Sequence, residues 1–108
     1  MIYEYRHYEI ASGKQADVHK RFEEDLVDLF KKHDIDVMAW FQPFVGSIVN
    51  DLHYIVRWES VQQMYDTWIA FYQDDEWLEV AARTEANGPL VDKAHTEIWM
   101  TTPYSPTP

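Results

Sequence analysis

Cysteine is absent from this chain of 108 residues, and glycine and basic residues are scarce. Without cysteine there is no disulfide framework, no thiolate nucleophile and no Cys-ligated metal. Three glycines are few for a phosphate-binding loop, and no nucleotide-binding or calcium-binding motif is present. Nine basic residues against 19 acidic ones give a net charge of -10, which opposes binding to nucleic acid or anionic lipid. We therefore expect neither as a partner.

Long apolar runs are also missing. No stretch approaches the roughly 18 apolar residues of a membrane-spanning helix. The first residues lack the basic, apolar and small-residue order of a signal peptide. These features predict a cytoplasmic protein with no membrane partner.

The chain is rich in apolar residues (46%) and in aromatic residues (16%), which is typical of a folded domain. Its length is that of a single domain. We place this domain at residues 1–102 and a proline-rich tail at 103–108. So many aromatic side chains are explained by an aromatic core, by an interface or by a bound ring-shaped ligand.

Hydrophobic periodicity and turn signals predict the element order β-α-β-β-α(α)-β. Ser60 is the expected N-cap of the second helix, and Asp74 with Asp75 that of the third. This order predicts an α+β, ferredoxin-like fold, an antiparallel four-stranded sheet with helices on one face. The predicted strands are 2–10, 37–41, 52–58 and about 90–100, and the predicted helices are 14–33, 61–72 and 76–86.

Neither face of the predicted sheet is plainly polar. In the third strand Tyr54 and Trp58 point to one side, while His53, Ile55 and Arg57 point to the other. Helices cover only one face, so a second copy of the sheet is the simplest cover for the other. We therefore expect a homodimer.

Three of the five histidines, His7, His53 and His95, lie on predicted strands, and alternation allows two or three of them to share one sheet face. Histidine is the side chain best suited to acid or base catalysis near neutral pH. The alternative is that each binds a carboxylate or a carbonyl, or lies at an exposed edge. His19 and His33 are expected at the helix surface or end. No His-x-His or His-x-x-x-His spacing is present, so we predict no metal site.

Arg6 and Arg57 lie on strands of a mostly apolar sheet. A buried arginine there must bind a carboxylate or an anionic ligand. The available carboxylates are Glu4, Glu9, Glu59 and Glu97.

The aromatic side chains offer the walls of a ligand pocket. Tyr5, Trp40 and Trp99 are our candidates for a pocket between the helices and the sheet that suits an aromatic molecule. The alternative is that most of the aromatic residues only pack the core.

Six segments in order, from end to end of the chain, resemble the NIPSNAP family: residues 2–8 (IYEYRHY), 13–14 (GK), 56–60 (VRWES), 75–77 (DEW), 88–90 (GPL) and 103–106 (PYSP). The resemblance implies a dimeric α+β barrel, a fold shared by small antibiotic-type monooxygenases, muconolactone isomerases, EthD-like proteins and haem-binding relatives. It supplies no catalytic residues. Only Arg6 and Arg57 match recurrent polar positions of the family, and Tyr5 and His7 depart from its usual leucine-like and threonine-like residues.

Two functions are compatible with these features. In the first, the dimer binds a small aromatic or apolar organic molecule as a cofactor-independent oxygenase or isomerase of catabolism or secondary metabolism. Its catalytic residues are then His53, His7 and His95, and its substrate-binding residues are Arg57, Arg6, Tyr5, Trp40 and Trp99. In the second, the dimer is a non-catalytic protein-interaction module. An enclosed cavity with a strand histidine at its wall would distinguish the first from the second.

Overall fold

The computed structural model describes residues 1–46 and 49–108, and it contains the predicted four-stranded antiparallel sheet. The strands are β1 (Ile2–Ile10), β2 (Asp36–Phe41), β3 (Leu52–Trp58) and β4 (Val91–Trp99). The sheet order is β2-β3-β1-β4, with every neighbouring pair antiparallel. The α+β, ferredoxin-like fold class is therefore confirmed. The sequence also predicts a chain reversal at 46–51, of which residues 47 and 48 lie outside the described residues.

The first helical region has the predicted extent but contains a π-helical segment. It consists of α1 (Gln15–Arg21), the π-helical segment Phe22–Leu26 and α2 (Val27–Lys32). Apolar residues from all three parts lie in the core. The region ends before Asp34, whose backbone adopts a left-handed conformation with a φ of 55°. Periodicity did not predict the π-helical segment, because its apolar residues also recur at ordinary helical spacing.

The remaining helices are α3 (Val61–Tyr72) and α4 (Asp75–Thr84), and both predicted N-caps are confirmed. The Ser60 hydroxyl accepts a hydrogen bond from the Gln63 backbone at 3.1 Å. The Asp74 carboxylate accepts one from the Glu76 backbone at 2.8 Å. In the described ranges, no helix combines the length and apolarity needed to cross a membrane.

Alternation along the strands gives the sheet two different faces. The face that packs against the helices, called here the covered face, carries the fully buried side chains of Tyr54, Val56 and Trp58. The other is called the open face. It carries His53, Ile55 and Arg57 of β3, which are all partly exposed. The helices thus leave an aromatic and polar sheet surface uncovered in the single chain.

A β-bulge in β2 decides which face its aromatic residues join. Val37 pairs with Val56 and Ala39 with Ile55, so Met38 is the extra residue of the bulge. Trp40 consequently pairs with Tyr54 and lies on the covered face. Without the bulge, strict alternation from Val37 would place Trp40 on the open face.

Candidate functional site

The three strand histidines lie side by side across the open face. His7 pairs with His53 on β3 and with His95 on β4. The imidazole ring centres are 4.4 Å apart for His7 and His53 and 5.1 Å apart for His7 and His95. Alternation and strand register together therefore produce a row of stacked imidazoles, called here the histidine row.

Each member of the histidine row has a different hydrogen-bond partner. His7 Nε2 lies 2.7 Å from the carboxylate of Asp51, which is 2% exposed and also accepts a hydrogen bond from the Ile10 backbone. His95 Nε2 contacts the Glu9 carboxylate. His53 has an aromatic partner, since its Nδ1 lies 2.6 Å from the Tyr5 hydroxyl. The carboxylate pairing considered above therefore applies to His7 and His95.

The charge state of the Tyr5–His53 pair follows from its surroundings. Burial lowers the pKa of His53, and neighbouring His7 lowers it further, while Asp51 opposes both effects. Burial raises the pKa of Tyr5, as do the negative charges of Glu97 and Asp51. Tyr5 therefore stays protonated and His53 stays neutral at neutral pH. The imidazole tautomer decides which of the two donates, and His53 accepts from Tyr5 in the tautomer that has no proton on Nδ1.

An apolar recess adjoins the histidine row on the open face. The Tyr5 ring stacks on Trp99 with ring centres 4.7 Å apart, and Trp99 donates its indole N–H to Glu97 at 3.0 Å. Trp99 in turn borders the recess, whose volume is about 250 Å³. Tyr3, Met38 and Ile55 also line it, as do Met100, Thr101 and Pro108 near the C-terminal end.

Four cavities are described within residues 1–46 and 49–108, and no strand histidine lines any of these four. None of the four is therefore the cavity with a strand histidine at its wall that would favour an enzyme.

A second polar cluster, the arginine network, lies on the covered face around Arg6. Glu4 is 2% exposed and accepts hydrogen bonds from Arg6, Trp58, Trp68 and Thr96 at 2.8 to 3.0 Å. The guanidinium of Arg6 also lies 4.4 Å from the centre of the Trp68 ring.

Arg6 also binds three tyrosines, donating to the hydroxyls of Tyr54, Tyr8 and Tyr72 at 2.8, 3.1 and 3.4 Å. Burial and the neighbouring Tyr8 raise the pKa of Tyr54 well above its ordinary value, although the charge of Arg6 opposes them. Tyr54 therefore stays neutral and hydrogen-bonds the Tyr8 hydroxyl at 2.7 Å. This network satisfies the buried charges of Glu4 and Arg6 with well-placed partners.

The candidate residues therefore divide between the two faces. The covered face holds Arg6 and Trp40. Of the three aromatic residues predicted to line a pocket between the helices and the sheet, only Trp40 lies on that side, because the β2 bulge turns it away from Tyr5 and Trp99 on the open face. The open face holds the other six: Tyr5, His7, His53, Arg57, His95 and Trp99.

Arg57 lies opposite Tyr3 on the open face and pairs with Asp36 at 3.3 Å.

The sequence did not predict Asp51 as the partner of His7, because no local pattern connects a loop residue to a distant strand. The alternate positions of Arg6 and Tyr8 on β1, by contrast, already signalled that they share a face.

Solved structures identify the class of fold. A NIPSNAP family protein of unknown function from Agrobacterium tumefaciens superposes with a TM-score of 0.84 at 22% identity, covering 98% of this chain and 92% of that one. A second NIPSNAP family protein from the same organism gives 0.85 at 19% identity, with coverage of 97% and 96%. A putative antibiotic biosynthesis monooxygenase from Nitrosomonas europaea gives 0.62 at 9%, covering 94% and 98%. The chain thus has the α+β, ferredoxin-like fold that these proteins share.

The family to which the sequence matches is the one that the solved structures indicate. The NIPSNAP family matches residues 3–106, which is nearly the whole chain. This protein belongs to the NIPSNAP family. No curated protein matches it significantly.

Proposed function

We propose that two copies of this chain pack through their open faces, and that the recess between them binds a small aromatic or apolar organic molecule. The observation that carries the proposal is the apolar recess beside the stacked rings of Tyr5 and Trp99. Aromatic walls around a small apolar cavity suit a planar ligand. A second copy would supply the cover that converts this open recess into an enclosed one.

The distribution of charge supports the open face as the contact between copies. Two chains of net charge -10 repel each other. The strand residues of the open face include only three of the 19 acidic residues, namely Asp36, Glu9 and Glu97, and two of the nine basic ones, Arg57 and Lys93. Sixteen acidic and seven basic residues lie elsewhere. The open face is therefore nearly neutral and is the surface on which two copies meet with least repulsion.

The polar groups near the recess provide an acid–base site. In this proposal Tyr5, whose ring stacks on Trp99 at the border of the recess, contacts the ligand. As the Tyr5 oxygen takes a proton from the ligand, its own hydroxyl proton passes to His53 Nδ1 at 2.6 Å. His7 and His95, each paired with a carboxylate, hold the row in place. Arg57, opposite Tyr3 of the recess, attracts an anionic group of the ligand. Removal of a proton begins the oxygenase or isomerase chemistry proposed for this site, which needs no cofactor.

Sedimentation of purified protein tests the dimer. We expect a species of twice the 12.9 kDa chain mass at micromolar concentration. Ile55→Asp buries a charge in the proposed contact and should give a monomer. Ile69→Asp is the matched control on the exposed side of α3, and it should remain a dimer. A monomeric wild type, or equal behaviour of the two variants, contradicts this assembly.

Binding of 2-naphthol, a planar aromatic probe, tests the recess. We expect the Trp99 indole N–H signal in a ¹H–¹⁵N spectrum to shift saturably. The indole signals of Trp58 and Trp68, which are buried and bound to Glu4, should not move. A Trp99→Leu variant should bind the probe about tenfold more weakly, the equivalent of about 1.4 kcal/mol. Probe binding unaffected by Trp99→Leu would place the ligand elsewhere.

One observation favours the alternative of a non-catalytic interaction module. Val61, Tyr65, Ile69 and Tyr72 are exposed apolar residues at helical spacing on α3. A partner bound there would protect Tyr65 and Tyr72 from hydroxyl-radical labelling in cell extract, and Ile69→Asp would abolish the protection. That result, together with a recess that binds no aromatic probe, would favour this function.

A further inference from the structure

A second cavity lies on the helical side of the molecule, away from the open face. It is a cleft of about 360 Å³ between α1 and the C-terminal end of α4. Four basic residues line it, Lys14, Lys20, Arg21 and Arg83, although the whole chain contains only nine. Neither the histidine row nor the arginine network contributes to it.

Arg21 is buried in this cleft with few partners. Its side chain is 7% exposed. One terminal nitrogen, Nη1, makes two long contacts, at 3.3 Å to the Thr84 hydroxyl and 3.5 Å to the Glu85 carboxylate. Its Nε is buried and has no hydrogen-bond partner in the described part of the chain. A buried cation with unused donors costs free energy unless another group supplies the missing oxygens.

Arg6 provides an internal comparison, since its side chain is similarly buried at 12% exposure. All three of its guanidinium nitrogens donate hydrogen bonds to oxygens of Glu4, Tyr54 and Tyr8 at 2.8 to 3.1 Å. This fold is therefore able to give every guanidinium nitrogen of a buried arginine a hydrogen bond. At Arg21 it leaves donors unused beside a cleft.

The charges around the cleft are close to balance. Arg83 lies 3.0 Å from Asp25, so these two lining charges compensate each other. Lys14, Lys20 and Arg21 remain against the lining carboxylates of Asp17 and Glu24 and against Glu85, which lies 3.5 Å from Arg21. The cleft is thus roughly neutral on a chain of net charge -10. An anion is therefore repelled less here than by the acidic surface of the chain as a whole.

We infer that this cleft binds a small oxyanion, a carboxylate or a phosphate, through Arg21 and Lys20. The planar guanidinium matches two oxygens of either group, and the ammonium of Lys20 adds a second positive charge. Asp17 and Glu24 oppose a dianion, so a carboxylate binds more tightly than phosphate. The Nε–H of Arg21 that lacks a partner is buried, so a small movement of this side chain brings it to the bound ligand.

Titration of ¹⁵N-labelled protein with sodium acetate and with inorganic phosphate tests this site, with sodium chloride at matched ionic strength as the reference salt. We expect saturable shifts of the Arg21 Nε–H signal and of backbone signals in 14–25 and 83–87, larger at equal concentration for acetate. The Arg6 Nε–H signal should not move, because that group already donates to Tyr54. Chloride reproducing the shifts, or no saturable shift with either oxyanion, overturns the inference. A preference for phosphate would refute the stated order of affinities.

Variants on the exposed side of the cleft keep the test independent of folding. Lys20→Met should weaken acetate binding about tenfold, as expected for loss of one charge-assisted hydrogen bond. Lys31→Met is the matched control, since Lys31 is equally exposed but lies outside the cleft. Arg21→Lys keeps the charge and removes the planar fork, so it should also bind acetate more weakly. Wild-type affinity in Lys20→Met would refute the assignment.

Discussion

Replacement of Glu4 by glutamine should strongly destabilise the fold. Glu4 Oε1 accepts hydrogen bonds from the indoles of Trp58 and Trp68, and Oε2 accepts from Arg6 and Thr96. Glutamine has the same shape but one of its two terminal groups is an amide NH₂. Whichever way the amide points, its NH₂ faces two donors, and the buried Arg6 loses its countercharge.

We expect Glu4→Gln to lower the free energy of unfolding by about 3–5 kcal/mol, the usual effect of leaving one member of a buried ion pair without its partner. Domains of this kind are stable by roughly 5–15 kcal/mol in total, so the change is a large fraction of the free energy of unfolding. The pH dependence should change as well. Burial by itself raises the pKa of Glu4, but the hydrogen bonds from Trp68, Thr96 and Trp58 and the charge of Arg6 lower it below its ordinary 4.5.

A carboxyl group whose pKa is lower in the folded state stabilises the protein above its unfolded pKa. That stabilisation disappears as the pH falls through the folded value. In wild type, the free energy of unfolding should therefore decrease as the pH falls below about 4.5. The Glu4→Gln variant should lack the part of this decrease that comes from Glu4.

Urea unfolding followed by tryptophan fluorescence, at one fixed protein concentration, measures both effects. Glu79→Gln is the matched control, because Glu79 also pairs with an arginine, Arg83, at 3.0 Å but on an exposed surface. It should leave the free energy of unfolding nearly unchanged. A Glu4→Gln loss below about 1 kcal/mol, the size of one ordinary hydrogen bond, would refute this account of the arginine network.

Two further predictions concern titration. The pKa of His53 in an NMR titration should lie below 6.5, and Asp51→Asn should lower it further, since that carboxylate raises it. Because the pKa of His53 is lower in the folded chain, the unfolded chain binds a proton on His53 more readily. The free energy of unfolding therefore falls as the pH drops from 6.5 through the pKa of folded His53. The carboxyl pKa of Asp74 should lie well below its ordinary value, because the hydrogen bond from Lys32 lowers it most, and Lys32→Met should raise it. A ¹³C titration that finds Asp74 with an ordinary pKa in wild type contradicts the Lys32–Asp74 contact at 2.9 Å.

Most of the fold was predictable because its signals are local. Ser60 and Asp74 begin their helices as N-caps, and their side chains act on backbone groups two or three residues away. Alternation in β3 correctly separated Tyr54 from His53. The β2 bulge escaped prediction since its sequence, like that of the π-helical segment, carries no local mark. That one inserted residue places Trp40 on the covered face, away from Tyr5 and Trp99, with which it was predicted to share a pocket.

The candidate site was only partly predictable. That His7, His53 and His95 were able to share a face followed from period-two alternation, but their stacking as one row required the register of three strands. Asp51 became the partner of His7 through a contact 44 residues apart, which no local pattern encodes. Catalytic and ligand-binding roles for these residues stay predictions.

The sequence by itself determined the order of elements, the helix caps, the acidic charge and the absence of thiol chemistry, since each depends on composition or on neighbours along the chain. Only the tertiary structure decided which side chains meet. It separated the histidine row from the arginine network on opposite faces of the sheet. In the described part of the chain it also left Arg21 Nε without a hydrogen-bond partner, whereas every guanidinium nitrogen of Arg6 donates a hydrogen bond. These outcomes depend on strand register, a bulge and helix packing, which join residues far apart in the chain.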